Sequence, residues 1–403
     1  MRTGFGQPSI FNADADRAGA GAPWASRWRT PAAAAPSGCV ETGAFGKEAY
    51  ILTGYFNLPK VLEIDPEQRR RPAHRQAARP ADRRPAQLRA ASTSCSPPSS
   101  SSCATSSTSR CAATTSSSGC TPRYMPAPFL SLLIDDCIAS GKDYHDGGAR
   151  YNTTYIQGVG IGTITDACRR IKHHVFDDKT LTHGRAARGA ATPTSPGTSA
   201  QRQLLLNQHA ALRQRRRARR RPDACASSRP TSTPWTAGPT RSGGDYRINL
   251  LPTTCHVYFG SVTGATPDGR QAWTPLSEGI SPVQGADRHG PTAVLKSAAK
   301  MDHVRTGGTL LNQKFTPQLL ADDDGLDSLV QLVRAYFKLD GHHIQFNVVD
   351  ADTLRDAQAA PRAVPRPDRP GGAGYSDYFQ RPRRGPAERD HTEGRSTPEY
   401  NFF

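Results

Sequence analysis

The chain has no apolar run of about 18 residues, so nothing in it reads as a bilayer-spanning helix. Its first residues, Met1-Arg2-Thr3-Gly4-Phe5-Gly6, lack the apolar stretch of a secretory leader. Nine cysteines in 403 residues form no CxxC pair and no His/Cys cluster, which excludes a zinc module or a disulfide framework as the organising feature. The cytoplasm is the expected compartment, with no membrane partner. Aliphatic and aromatic residues are also scarce over long stretches, while Gly (36) and Pro (33) are plentiful, so much of the chain is not core-forming.

The net charge of +17 invites a nucleic-acid reading, but lysine is missing where the charge lies. Pro66 to Cys120 holds nine Arg, no Lys and two acids; Gly184 to Gly243 holds twelve Arg, no Lys and one acid. Those two islands carry net +7 and +11, which leaves the rest of the chain near neutral. No aromatics interleave Arg215-Arg216-Arg217-Ala218-Arg219-Arg220-Arg221 to stack bases, which weighs against nucleic acid as a partner; non-enzymatic nucleic-acid binding through the Arg islands, steeply salt-dependent, stays open as the alternative function. By composition both islands read as disordered.

The ordered-looking blocks lie between them. The segmentation is 1–65, 66–123, 124–183, 184–243, 244–360 and 361–403, with 66–123 and 184–243 as the low-complexity pieces and 361–403 a Pro/Arg-rich tail except around Gly374. Gly46 to Leu62 places Ala49, Leu52 and Phe56 at helical spacing up to Pro59. Phe129 to Ile138 reads as a buried helix capped at Gly141. Asp146 to Gly160 is strand-like with glycine punctuation, and Gly162 to Val175 is an amphipathic helix. Further on come a strand over Thr254 to Phe259, a turn at Pro267-Asp268-Gly269-Arg270, helices over Thr292 to Lys300 and Gly325 to Lys338, and a strand over Ile344 to Val349. Alternating strands and helices point to an α/β architecture.

Two short stretches carry the chemistry. In Ser37-Gly38-Cys39-Val40-Glu41-Thr42-Gly43 a thiol sits two residues from a carboxylate between glycines. In an extended loop the two side chains would face one substrate. Far downstream stands Ala373-Gly374-Tyr375-Ser376-Asp377-Tyr378-Phe379. Together they resemble the cysteine and glycine loops of glycyl radical enzymes, and the blocks Ser37 to Glu63, Tyr124 to Thr182 and Tyr246 to Gln358 lie between them in that family's order. Formate acetyltransferases use two adjacent cysteines, whereas Val40 follows Cys39 here. Within the family, Gly38 to Glu48 and Gly147 to Thr165 look most like the dehydratases of trans-4-hydroxy-L-proline; diol dehydratases and arylacetate decarboxylases share Gly-Cys-Val-Glu.

The resemblance implies the C-terminal half of a ten-stranded α/β barrel, interrupted by the Arg/Pro/Ser-rich segments. It implies a radical stored on Gly374 and installed after translation, no bound cofactor, Cys39 as hydrogen-atom carrier and Glu41 as general base or acid. Its implied partners are a radical S-adenosylmethionine activating enzyme, a small-molecule substrate and a second copy in a homodimer. Since the family's N-terminal half has no counterpart, a damaged or truncated, inactive chain is expected. One departure is that Gly371-Gly372 stand where the family usually has Arg-Val. The islands occupy places where the family has helices and strands of similar length, which a shifted reading frame would account for. Gln380 to His391, slipped by one base with permitted codons, decodes as Ser-Ala-Leu-Gly-Ala-Ala-Leu-Gln-Asn-Glu-Ile-Ile, an amphipathic helix. True linkers are the alternative, and would be unusually long insertions in a compact barrel.

The remaining candidates read as structural. The side chains of His342-His343 and His173-His174 diverge within each pair, which suits scaffolding better than metal binding. Cys137, Cys168 and Cys255 fall on regular elements as core residues. Gly158-Val159-Gly160-Ile161-Gly162 lacks both the Gly-Lys-Ser/Thr of a phosphate loop and the dinucleotide spacing, and suits close packing at the end of a strand.

Overall fold

A computed structural model describes residues 9–16, 34–63, 121–179, 240, 242–287, 289–348, 371–372 and 375–376. Apart from a few edge residues, the two Arg-rich islands of the sequence lie outside the described residues, as do Gly374 and the tail after Ser376.

In chain order the strands are β1 (Ile10–Phe11), β2 (Ala34–Ser37), β3 (Glu41–Ala44), β4 (Glu48–Asn57), β5 (Tyr151–Val159), β6 (Asp245–Asn249), β7 (Asn312–Phe315), β8 (His343–Val348), β9 (Gly371–Gly372) and β10 (Tyr375–Ser376). The helices used below are α1 (Pro128–Leu133), α2 (Cys137–Ser140), α3 (Ile161–Ile171), α4 (Cys255–Ser261), α5 (Pro291–Ala298) and α6 (Asp323–Lys338).

Strands β4, β5 and β6 form one parallel group with β5 in the middle. β5 reads Tyr-Asn-Thr-Thr-Tyr-Ile-Gln-Gly-Val and is buried at every position but Asn152. That is the near-continuous burial of a central parallel strand. A second group has β7 parallel to β8, with β1 antiparallel on the far side of β8. A parallel bridge between Leu250 and Thr309 joins the two groups. Leu250 donates to Gly308 at 3.0 Å and accepts from Leu310 at 3.3 Å, while Gln345 donates to Leu311 at 3.0 Å. The lateral order is therefore β4-β5-β6-β7-β8-β1, with β4 and β1 at its two ends among the described residues. This is the mixed α/β architecture expected from the sequence.

One apolar cluster runs under both groups. Phe56, Ile156 and Leu250 from the first meet Leu311, Phe315, Ile344 and Phe346 from the second, with Ile164 of α3, Leu295 of α5 and Tyr336 of α6 over them. α6 begins where the Asp322 carboxylate caps the Gly325 N–H at 2.8 Å, has Asp323 and Asp324 in its first turn and ends with Lys338, the polarity its dipole favours. The glycine run after β5 is packing, as expected. Gly160 adopts φ +83°, and a Cβ there would lie 2.8 Å from the Pro59 ring; one on Gly162 would lie 2.8 Å from the Ser281 carbonyl.

Three expectations fail. Gly46 to Leu62 is not a helix: Glu48 to Asn57 is strand β4, because Tyr50, Ile51, Thr53, Tyr55 and Phe56 are β-branched or aromatic residues that fit a pleated surface. The helix there is confined to Lys60–Glu63, after Pro59. Thr254 to Phe259 is not a strand but the start of α4, where His256 and Gly260, four apart, share the buried face. Gly260 is needed there, since a Cβ would meet the Thr274 carbonyl at 2.3 Å.

The third failure concerns Phe129 to Ile138. The chain breaks into α1 and α2 at Asp136, which sits in the left-handed region at φ 75°. Phe129, Leu132 and Ile138 are 75, 63 and 71 % exposed, and no residue of α1 is buried. Cys137 is the one residue of the segment that is fully buried, against Ala49 and Ala149, with the half-buried Ile134 packed beside it. The predicted cap does hold: Gly141 is left-handed, with its N–H on the Ile138 carbonyl.

Candidate active site around Cys39

Cys39 lies in the turn of a hairpin whose arms, β2 and β3, pair Ser37 with Glu41. Gly38 opens the turn at φ +58°, a conformation that a side chain would strain. The loop is thus a tight turn rather than an extended segment. Glu41 folds back over it: its Oε2 accepts from the Cys39 N–H at 2.6 Å and the Val40 N–H at 2.8 Å. A Cβ on Gly38 would sit 2.8 Å from that same oxygen, so glycine leaves room for the carboxylate. Cys39 and Glu41 are brought together by this turn-capping contact.

The half-buried thiol feels two effects, burial first and the Glu41 carboxylate second, which together push its pKa up to about 11. A raised value makes a poor nucleophile, because the thiolate is the nucleophilic form. It also keeps the S–H bond intact at neutral pH, as a hydrogen-atom donor requires.

The hairpin is fixed from several sides. Val40 is fully buried against Leu251 and Leu310. The Thr42 N–H donates to the Gly307 carbonyl at 2.9 Å, and the Gly307 N–H to the Ile248 carbonyl at 2.9 Å. Gly307 and Gly308 admit no larger residue, since Cβ atoms would lie 1.9 Å from the Tyr155 ring and 2.1 Å from the Val40 carbonyl. The Thr42 hydroxyl meets Asp16 at 2.8 Å and His342 at 3.0 Å.

A buried polar layer lies alongside. The Glu48 carboxylate accepts from the Ala44 N–H at 3.0 Å and makes a short contact with the Thr153 hydroxyl. Burial raises its pKa, while Thr153, Ala44 and Arg247 oppose the rise. Tyr50 stacks on Tyr155 with centroids 3.8 Å apart, and its hydroxyl is held by the Asn249 amide. Burial, the neighbouring Tyr155 and the Glu41 carboxylate push the Tyr50 phenol well above its ordinary range. Sequence reasoning passed over Asp16, Thr42, Glu48, Tyr50, Asn249 and the Gly307-Gly308 pair. Only the two adjacent glycines, in a stretch otherwise free of turn residues, gave a local signal.

Gly374, the predicted radical site, lies outside the described residues; β9 and β10 on either side of it pair Gly372 with Tyr375 and Gly371 with Ser376. The other candidates are placed. His342 and His343 are both buried and diverge, the first toward Asp16 and the second with Nδ1 accepting from the Leu311 N–H at 3.2 Å. His173 pairs with Asp178 at 2.9 Å. Cys255 is the first residue of α4, while Cys168 packs from α3 against the core. Among the described residues no group of three or more His, Cys, Asp or Glu could hold a metal ion, and no helix is long and apolar enough to cross a membrane.

The family described as pyruvate formate lyase-like matches residues 1–192, and the glycine radical family matches 276–380, a span that includes Gly374. Trans-4-hydroxy-L-proline dehydratase of Clostridioides difficile is 41 % identical over 391 residues, covering 94 % of this chain and 47 % of that protein. A probable dehydratase of Escherichia coli, YbiW, is 35 % identical over 62 % of this chain and 32 % of its own length. The crystal structure of the Clostridioides difficile enzyme with trans-4-hydroxy-L-proline bound superposes with a TM-score of 0.74 at 39 % identity, over 94 % of this chain and 47 % of that one. The B12-independent glycerol dehydratase of Clostridium butyricum gives 0.74 at 30 % identity, over 94 % and 48 %. The chain thus spans about half the length of the hydroxyproline dehydratase and about a third of the length of YbiW. On these matches and on its paired cysteine and glycine stretches, the chain belongs to the glycyl radical enzyme family.

Proposed function

We propose that this chain is part of a lyase that removes water from trans-4-hydroxy-L-proline by radical chemistry, with Gly374, Cys39 and Glu41 as its reacting groups. The observation that carries this reading is the match to the hydroxyproline dehydratase over 94 % of the chain, with Cys39 and Glu41 held in one turn. Gly374 would hold the unpaired electron, because glycine has no side chain to twist the amide plane over which the electron spreads. Cys39 gives its thiol hydrogen atom to that carbon and becomes a thiyl. The thiyl takes a hydrogen atom from the substrate carbon next to the hydroxylated one, a nearly balanced exchange because S–H and activated C–H bonds are similar in strength. Glu41 then takes a proton from the substrate radical and delivers it to the departing hydroxyl, which leaves as water. Return of the Cys39 hydrogen atom to the product radical restores the thiyl.

The partners of this reading are a radical S-adenosylmethionine activating enzyme, which installs the radical, and a second copy of the chain. Cytoplasmic location goes with that chemistry. This 403-residue polypeptide corresponds to 47 % of its hydroxyproline-dehydrating relative, and on its own we expect it to turn over little or no hydroxyproline. The test is anaerobic activation followed by electron paramagnetic resonance. A glycyl doublet that disappears in Gly374→Ala is expected; a doublet that survives the substitution refutes the assignment. Measurable hydroxyproline dehydration by the isolated polypeptide would refute its inactivity.

A further inference from the structure

Behind the Cys39 turn lies a buried hydrogen-bonded chain that none of the proposed chemistry uses. The Thr42 hydroxyl donates to Asp16 Oδ1 at 2.8 Å, and His342 Nε2 approaches the same oxygen at 2.9 Å and the Thr42 hydroxyl at 3.0 Å. All three residues are buried, His342 and Asp16 to 3 and 4 % side-chain exposure. His342 Nδ1 lies 3.4 Å from the Thr309 N–H and hydroxyl and 3.5 Å from the Thr309 carbonyl. Thr309 also reaches His303 Nδ1 at 2.9 Å, and His303 Nε2 donates to the Ala298 carbonyl at 3.1 Å. Each member of this chain has a polar partner within 3.4 Å.

The chain joins four separate pieces: the segment after β1 through Asp16, the hairpin through Thr42, the Gly308-Thr309 passage through Thr309, and the start of β8 through His342. Thr42 directly follows Glu41, whose carboxylate caps the Cys39 turn, so a shift of Thr42 is a shift of that cap. We propose that Asp16 and His342 are positioning residues that act through Thr42 to hold the Cys39–Glu41 turn in register for hydrogen-atom transfer. This deepens the reading of Cys39 and Glu41 as reacting groups and rests on it.

The test reads the Cys39 thiol itself, without activation or turnover, in the full chain. Alkylation by iodoacetamide is followed from pH 7 to 11, with mass spectrometry scoring the Cys39 and Cys137 peptides separately. Thr42→Val removes the hydroxyl at constant shape; Asp16→Asn removes the charge but keeps an acceptor; Thr42→Ser keeps the hydroxyl. Loss of the cap removes the Glu41 carboxylate from beside the thiol, so Thr42→Val should alkylate Cys39 about threefold faster at pH 8, and its midpoint should fall below the parent's while burial, the larger cause, still holds it above the ordinary thiol value. Asp16→Asn should do the same more weakly, and Thr42→Ser should match the parent, with Cys137 unchanged in all three. An unchanged Cys39 profile in Thr42→Val and Asp16→Asn overturns the proposal. So does an equal rise at Cys39 and Cys137, which would mean that the cluster supports stability only. A missing glycyl doublet would refute the radical chemistry and leave this thiol result standing.

Discussion

The Cys39 hairpin and the α1–α2 segment reverse what their sequences suggest. The hairpin is short, glycine-rich and polar, yet it is pinned by Gly307, Asp16, His342 and its own Glu41, with Val40 fully buried. The α1–α2 segment, Pro-Phe-Leu-Ser-Leu-Leu and then Cys-Ile-Ala-Ser, is among the most apolar stretches of the chain, yet its large side chains face outward. Apolar composition sets what a segment can bury; the elements across from it set what it does bury. A hairpin is fixed when its backbone groups and short side chains meet fixed partners, and three other pieces of chain supply them here.

The sharpest way to break the contrast is to fill the space under the hairpin. Gly308→Ala should cost about 3 kcal/mol in urea unfolding, because its φ of +145° and the Val40 carbonyl 2.1 Å from the new methyl leave no room. A loss under about 0.5 kcal/mol would mean that the hairpin is not clamped.

Acid should destabilise the fold by a similar amount. Burial holds His256 at a pKa of about 4 and His303 at about 3, the latter also lowered by His342. The unfolded chain titrates near 6.5, so between about 6.5 and 4 it binds protons that the folded chain does not. Stability is therefore complete above that window and falls with pH inside it. From pH 7.5 to 5.5 each of these histidines should remove about 1.4 kcal/mol, and the similarly depressed His343 acts in the same direction. Equal unfolding midpoints at the two pH values would contradict the burial of these rings. No histidine lies in α1 or α2, so hydrogen exchange there should respond least.

A milder effect is expected at the turn. Gly38→Ala places a side chain at φ +58° and 2.8 Å from Glu41 Oε2, which should cost about 1–2 kcal/mol and speed Cys39 alkylation as the carboxylate moves off. An unaltered alkylation rate would show that the cap does not guard the thiol. The smallest effect belongs to α1: Phe129→Ser should change stability by less than about 0.5 kcal/mol, since the ring is 75 % exposed. A loss above 2 kcal/mol would show that this face is packed after all.

Much of the fold was legible because period and caps agreed. α3 and α6 follow their apolar spacing, and Gly141 and the Thr266-to-Arg270 turn sit where glycine and proline place them. β4 and α4 were misread because Ala49, Leu52 and Phe56 fit helical spacing by chance, while Val257, Tyr258 and Phe259 have strand-like side chains in a segment bent by Pro252. Of the site, Cys39 and Glu41 were visible as a motif two residues apart. Their supports were not, because they come from other parts of the sequence: Asp16 and His342 meet the hairpin beside the β1–β8 pair, and Gly307 meets it from the passage between β6 and β7.

That separation has a consequence for how the chain is made. Thr42 and His342 are 300 residues apart, and Asp16 and His342 are 326 apart. At about 5–20 residues per second, a ribosome needs on the order of 15–60 s to produce the second half of the clamp after the first has emerged. Until then Cys39 rides on a nascent chain as an ordinary thiol, open to oxidants and electrophiles. The thiol that ends beside its own carboxylate cap thus spends that interval of synthesis without the rest of the clamp.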